Sequence, residues 1–176
     1  MNLYSKLAAR AANQNPVTVG MIGGGKFGSM FLAQARLTTG LQIAAVIDLA
    51  PERARANLAA TGWAAEQYAA TSISDAFKTG GTYVGDDAAT MIASGGIDIV
   101  VDATGDPSAG IRHALLCCEH GKNVVMVNVE ADALAGPLLA RRAEEAGIIY
   151  SLAYGDQPAL ICEQVDWARA IGFKVV

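Results

Sequence analysis

Gly23-Gly24-Gly25-Lys26-Phe27-Gly28 fits G-x-G-x-x-G, a spacing in which each glycine has its own task. Gly23 permits a tight turn. Gly25 carries no Cβ, so the backbone can approach a pyrophosphate. Gly28 lets a helix pack closely on a strand. A helix opening at Lys26 and Phe27 would turn free N–H groups and the positive end of its dipole toward that anion. Asp48 follows Gly28 by about 20 residues, where an acid grips the adenosine-ribose hydroxyls of a dinucleotide. A carboxylate there repels a 2′-phosphate and argues for NAD. Arg53 and Arg55 stand just beyond and could hold that phosphate, so the residues leave NAD and NADP open.

A second glycine site is Ala103-Thr104-Gly105-Asp106-Pro107, at the carboxyl end of a predicted strand. Open α/β sheets place their ligands at that edge. Ala103, Thr104 and Gly105 are therefore expected against the cofactor, with Thr104 on its ribose or nicotinamide, while Asp106-Pro107 caps and opens a helix. Glu130 and Asp156 also follow predicted strands on the carboxyl side. Two carboxylates there could bind Mg²⁺ or Mn²⁺ and polarise a carbonyl or hydroxyl during hydride transfer. The alternative is that each caps the helix after it. Asn128 stands where it could hydrogen-bond a carboxamide or a substrate.

Other polar and sulfur residues read as structural. His113 and His120 fall on the helix after Asp106, at no usual metal-pair spacing, and are expected on the surface or in packing. Cys117, Cys118 and Cys162 form no CxxC or zinc pattern and read as reduced core thiols. Asp86-Asp87 and Glu144-Glu145 read as solvated helix charges. Trp63, Tyr68 and Trp167 read as packing or domain-interface residues.

The elements that must position these groups alternate along the chain. Val17 to Ile22 reads as a buried strand. Phe27, Met30, Phe31 and Ala35 form one face of the helix after it. Leu41 to Ile47 is a strand ending at Asp48, and Pro51 opens a helix at its first position. Tyr83-Val84 reads as a short strand, then Asp86 to Ala93 as a helix. Ile97 to Val101 and Val124 to Val127 are strands, with a helix between them stopped by Gly121. A helix is expected from Leu134 to Ala146, a strand from Ile148 to Leu152, and a helix from Pro158 with Ile161, Val165 and Ala168 inward. Phe173 to Val176 reads as the start of a further strand. Such alternation demands right-handed crossovers and an α/β, doubly wound parallel sheet of the Rossmann type.

Composition agrees with that class. The chain has 176 residues, 52% hydrophobic and 17% charged, with a net charge of -4. This excludes disorder and suits a sheet covered on both faces. Charges are interspersed without a basic stripe, so nucleic acid is not an expected partner. No apolar run reaches membrane-spanning length. Residues 1–15 read as an N-terminal helical extension without a secretory signal, consistent with a cytoplasmic protein. Residues 1–176 are expected to be one dinucleotide-binding domain. Its end within an apparent strand suggests a fragment that lacks a C-terminal substrate domain and forms a homo-oligomer when full length.

Four segments carry a family resemblance: Gly20 to Gly28, Ala103 to Pro107, Gly121 to Glu130 and Tyr150 to Pro158. Through them the chain resembles the cofactor domain of homoserine dehydrogenase-like oxidoreductases. Within these it is most similar to the branch with a later SAF domain, which includes the 1-deoxy-D-xylulose 5-phosphate reductoisomerase-like enzymes. The resemblance implies an NAD(P)-dependent oxidoreductase acting on a small polar hydroxy or keto compound, and in the reductoisomerase-like branch NADPH and a divalent metal. Two departures stand against plain homoserine oxidation. Val127-Asn128-Val129 replaces the usual Ala-Asn-Lys, so Val129 takes the place of a lysine implicated in catalysis. Ser151 replaces an acid, and Gly155-Asp156-Gln157-Pro158 replaces most of a glycine-rich turn. The fragment alone is expected to bind cofactor and turn over little. A non-catalytic NAD(P)-binding sensor is the alternative. An S-adenosylmethionine site would share the first two glycines but not the packing role of Gly28.

Overall fold

The computed structural model describes residues 2–153 and 157–176. Helix α1 (Leu3–Ala12) is capped by Asn2, whose side chain accepts from the Ser5 N–H, and buries no residue. Then come β1 (Val17–Ile22), α2 (Lys26–Ala35), β2 (Leu41–Ile47) and α3 (Pro51–Ala60). The stretch from Thr61 to Ala93 resolves into a 3₁₀ turn at Ala65–Tyr68, α4 (Ile73–Thr79), β3 (Tyr83–Gly85) and α5 (Ala88–Ala93). The unforeseen α4 has ordinary end signals: Ser72 accepts from the Asp75 N–H, and Gly80 closes it in the left-handed region. The second half runs β4 (Ile99–Asp102), α6 (Pro107–His120), β5 (Asn123–Met126), α7 (Val129–Ala146), β6 (Tyr150–Leu152) and α8 (Gln157–Ala170).

Among the described residues the five strand pairings are all parallel, in the order β3-β2-β1-β4-β5-β6. This is the doubly wound order, and the crossovers diverge between β1 and β4. Successive strand residues point to opposite faces, which divides the core in two. On one face Met21 and Val46 meet Leu32 of α2, Leu58 of α3 and Trp63. On the other, Ile22, Ile47 and Val100 meet Met91 and Ile92 of α5, Cys117 of α6 and Leu139 of α7. No helix among the described residues is long and apolar enough to cross a membrane.

Several local expectations need correction. Helix α2 buries Gly28, Leu32 and Ala35, while Phe27 and Met30 are exposed. Close contact at Gly28 sets the helix phase, and the two large side chains turn outward. Helix α7 starts at Val129, ahead of the expected Leu134, because Asn128 caps it there. On α8 Ile161 is exposed, and Val165 and Ala168 are only half-buried. Cys162 on the same helix is exposed and is not a core thiol. Phe173–Val176 forms no strand. A strand exists through its ladder, and these exposed residues pair with none.

Candidate functional site

The loop between β1 and α2 takes the shape its glycines allow. Gly23 has φ of 97°, and a Cβ there would lie 2.6 Å from the Ala103 carbonyl oxygen. A Cβ on Gly28 would drive into the Gly23 carbonyl oxygen, so helix and loop touch only because none is present. A Cβ at Gly25 would meet nothing within 4 Å, which leaves open space over the backbone. Gly25 is the N-cap of α2 and Lys26 and Phe27 form its first turn, so their N–H groups have no intrahelical acceptor. Two side chains brace the loop from outside. Ser29 Oγ donates to the Gly25 carbonyl at 2.9 Å, and Asn57 Nδ2 to the Gly24 carbonyl at 2.7 Å.

Asp48, at the end of β2, is buried and faces this loop. Its Oδ2 accepts from the Gly24 N–H at 2.8 Å. Its Oδ1 accepts from the Ala50 N–H at 2.9 Å and from Arg53 Nη2 at 2.8 Å. Burial opposes the charge. The donors Ala50, Gly24 and Arg53 together outweigh it and hold the carboxyl below its ordinary value. The Arg53 side chain remains 63% exposed. Arg55 is occupied elsewhere, donating to the Tyr68 and Val84 carbonyls.

The loop after β4 lies against the first. The Ala103 N–H donates to the Ile22 carbonyl at 2.8 Å, bringing Ala103 beside Gly23. Gly105 has φ of 70°. Asp106 caps α6 through the Ala109 N–H. Thr104 is half-buried, and its N–H and hydroxyl both donate to Asp102 Oδ1, at 3.1 and 2.8 Å. Asn128 is buried and its amide is committed internally. Nδ2 donates to Thr104 Oγ1 and the Asp106 carbonyl, and Oδ1 accepts from the Ala131 N–H. It ties two edge loops together. Glu130 is exposed in the first turn of α7, and Asp156 lies outside the described residues.

Sequence reasoning missed Asp102, and it expected His113 on the surface or in packing without naming its partner. Asp102 ends β4 with no exposed surface, and its Oδ2 lies 2.6 Å from His113 Nδ1. His113 therefore stands at the carboxyl edge, while His120 is exposed in the last turn of α6. The missing signal was helix phase. Gly110, Ala114 and Cys117 form the buried stripe of α6, and His113 borders it on the β4 side. These groups enclose a cleft of about 320 Å³ over the carboxyl edge, lined by Gly23, Asp48, Arg53, Thr104, Arg112 and His113 among others.

The open backbone at Gly25, the unspent N–H groups of α2 and the buried acid across from them fit a dinucleotide running along this edge. Among the described residues a divalent metal finds no such fit. No three His, Cys, Asp or Glu side chains gather among them, and Glu130 stands exposed.

Residues 17–127 match the model of the Gfo/Idh/MocA oxidoreductase family, described as an NAD-binding Rossmann fold. No curated protein sequence matches the chain. Among solved structures, the chain is similar to a homoserine dehydrogenase from Thiobacillus denitrificans, with 19% identity and a TM-score of 0.59 over 78% of this chain and 29% of that one. It is similar to a biliverdin reductase from Synechocystis, solved with biliverdin and NADP+, with 20% identity and a TM-score of 0.53 over 79% and 38%. An NAD binding oxidoreductase from Klebsiella pneumoniae matches with 20% identity and a TM-score of 0.53 over 89% and 40%. At these identities the likeness is one of fold, and the chain spans less than half the length of each. The six-stranded order, the glycine loop sealed at Gly28 and the match over residues 17–127 lead to one conclusion: this chain belongs to the Gfo/Idh/MocA family of oxidoreductases, through its NAD-binding Rossmann fold.

Proposed function

We propose that this chain is the cofactor-holding part of an NAD(P)-dependent oxidoreductase that transfers hydride to or from a small polar hydroxy or keto compound. The observation that carries this reading is the β1–α2 loop, open at Gly25, closed at Gly28 and facing Asp48. The bound nicotinamide would supply the hydride acceptor or donor. The chain's own residues bind and orient. Backbone N–H groups of Lys26 and Phe27 hold the diphosphate, and Asp48 receives a ribose hydroxyl on its remaining lone pair. Ala103, Thr104 and Gly105 border the path toward β5 and β6. We assign Glu130 and Asp156 to the substrate or the proton that accompanies the hydride. Asn128 is a positioning residue that ties the start of α7 to the loop after β4.

Between homoserine dehydrogenase-like and reductoisomerase-like chemistry, Val129 in place of the usual lysine favours the second. No step is assigned to a metal. Substrate turnover is expected to need residues beyond this chain.

Asp48 and Arg53 suggest tolerance of both coenzymes. Asp48 is pinned by two backbone N–H groups, whereas the exposed Arg53 can leave it for a 2′-phosphate. Titration of NADH and NADPH against wild type, Asp48→Ala and Arg53→Ala tests the reading. Both coenzymes are expected to bind wild type. Asp48→Ala should weaken NADH by about tenfold or more, since it removes the ribose acceptor and also releases Gly24, and should weaken NADPH less because it also removes a charge facing the 2′-phosphate. Arg53→Ala should weaken NADPH alone. If neither coenzyme binds wild type, the proposed function fails.

A further inference from the structure

The cleft holds a polar group that nothing in the dinucleotide scheme above employs. Asp102 is fully buried, and its carboxylate can only accept. Oδ1 is filled by the Thr104 N–H and hydroxyl, so the partner of Oδ2, His113 Nδ1, must donate. In its neutral form the ring then keeps its proton on Nδ1 and presents a lone pair at Nε2. The His113 side chain is 15% exposed and lines the cleft. It makes no second hydrogen bond among the described residues. An oriented acceptor thus faces a cavity with Ile22, Ile47, Leu49 and Ala109 among its walls.

Its position selects the ligand. Opposite α6 the cleft wall comes from the ends of β2 and β3, with Asp48, Arg53, Asp86 and Ala88. Asp48 marks the adenosine ribose, so the group between Asp48 and α6 is the base attached to that ribose. The reacting end lies the other way, over β5 and β6, and His113 is not placed for proton transfer there. A ligand that fills the cleft displaces water from this acceptor, which is costly unless the ligand donates to it. Adenine offers its exocyclic amine. Hypoxanthine carries a carbonyl oxygen at the same position and would set lone pair against lone pair.

We propose that His113, oriented by Asp102, reads the exocyclic amine of the dinucleotide's adenine and makes this site selective for an aminopurine. This rests on the dinucleotide reading above. The test is fluorescence titration with NADH and with reduced nicotinamide hypoxanthine dinucleotide. Wild type should bind NADH about tenfold more tightly. His113→Phe keeps a flat ring without the acceptor and should bind the two equally. Asp102→Asn presents an amide N–H to Nδ1, moves the ring proton to Nε2 and should reverse the preference, an inversion that loosened packing would not produce. Should either variant unfold, nitrogen-15 NMR of wild-type histidine serves instead: the Nε2 resonance should move with NADH and stay with the hypoxanthine compound. Equal wild-type affinities, a preference that survives in His113→Phe, or an unmoved Nε2 resonance would overturn this inference and leave the dinucleotide reading standing. Binding of neither compound to wild type would remove both.

Discussion

Asp48 braces the glycine loop and, in the proposed function, serves the ligand with the same carboxylate. It accepts the Gly24 N–H, which shapes the loop between β1 and α2. Its folded pKa is depressed below 3.8, so its charged form stabilises the fold. That stabilisation is fully present above the unfolded value and is lost as pH falls from about 4 through the lower folded value. Asp87 shifts in the same direction through hydrogen bonds from Thr90, so wild type alone would mix the two groups. Asp48→Asn separates them. Urea unfolding should show the variant about 1–3 kcal/mol less stable at neutral pH, with the gap closing below about pH 4. A gap independent of pH would mean that Asp48 acts by shape rather than by charge. At this scale the glycines and Asp48 were legible because their spacing is the signal. The bond from Arg53 to Asp48, and the loss of Arg55 to the Tyr68 and Val84 carbonyls, were not, since both arginines stand on one short helix and only packing separates their roles.

At the scale of elements, the start of α7 holds the carboxyl edge in register. Asn128 caps that helix and reaches across to the loop before α6. The two helices approach closely there: a Cβ on Gly110 would lie 2.7 Å from Asn128 Nδ2 and 2.9 Å from the Ala131 Cβ. Asn128→Ala removes the cap and leaves the Asp106 carbonyl and Thr104 hydroxyl without their donor. Chemical denaturation should show a loss of about 2–4 kcal/mol, combining a cap with buried unpaired groups. A loss under about 0.5 kcal/mol would refute the clamp. The cap was readable in principle, since Asn128 precedes Glu130 and Asp132 in a helical first turn. The expectation of a start at Leu134 followed apolar spacing alone and passed over it.

For the whole molecule, burial divides the three thiols. Cys117 lies between α6 and the sheet, and burial pushes its pKa up to about 12. Cys118 is half-buried and shifted upward by the same cause, while Cys162 on α8 is exposed. Thiol labelling of the native chain at about pH 8 should modify Cys162 first, Cys118 slowly and Cys117 only on unfolding, because the thiolate is the nucleophile. Rapid modification of Cys117 in the folded protein would contradict the two-faced core.

The alternation of the six sheet strands with helices, the glycine loop and the acid beyond β2 were determined by the sequence itself, because each is a pattern of neighbours or of fixed spacing; α4, with little apolar periodicity, was not. Tertiary structure alone decided which side chains meet across the carboxyl edge: His113 on Asp102, Asn128 on Thr104, and the solvent-facing apolar side of α8. The physical reason is that such contacts depend on the phase and tilt of helices packed on the sheet. A rotation of a single residue's width would redirect each of these side chains while leaving every local pattern unchanged.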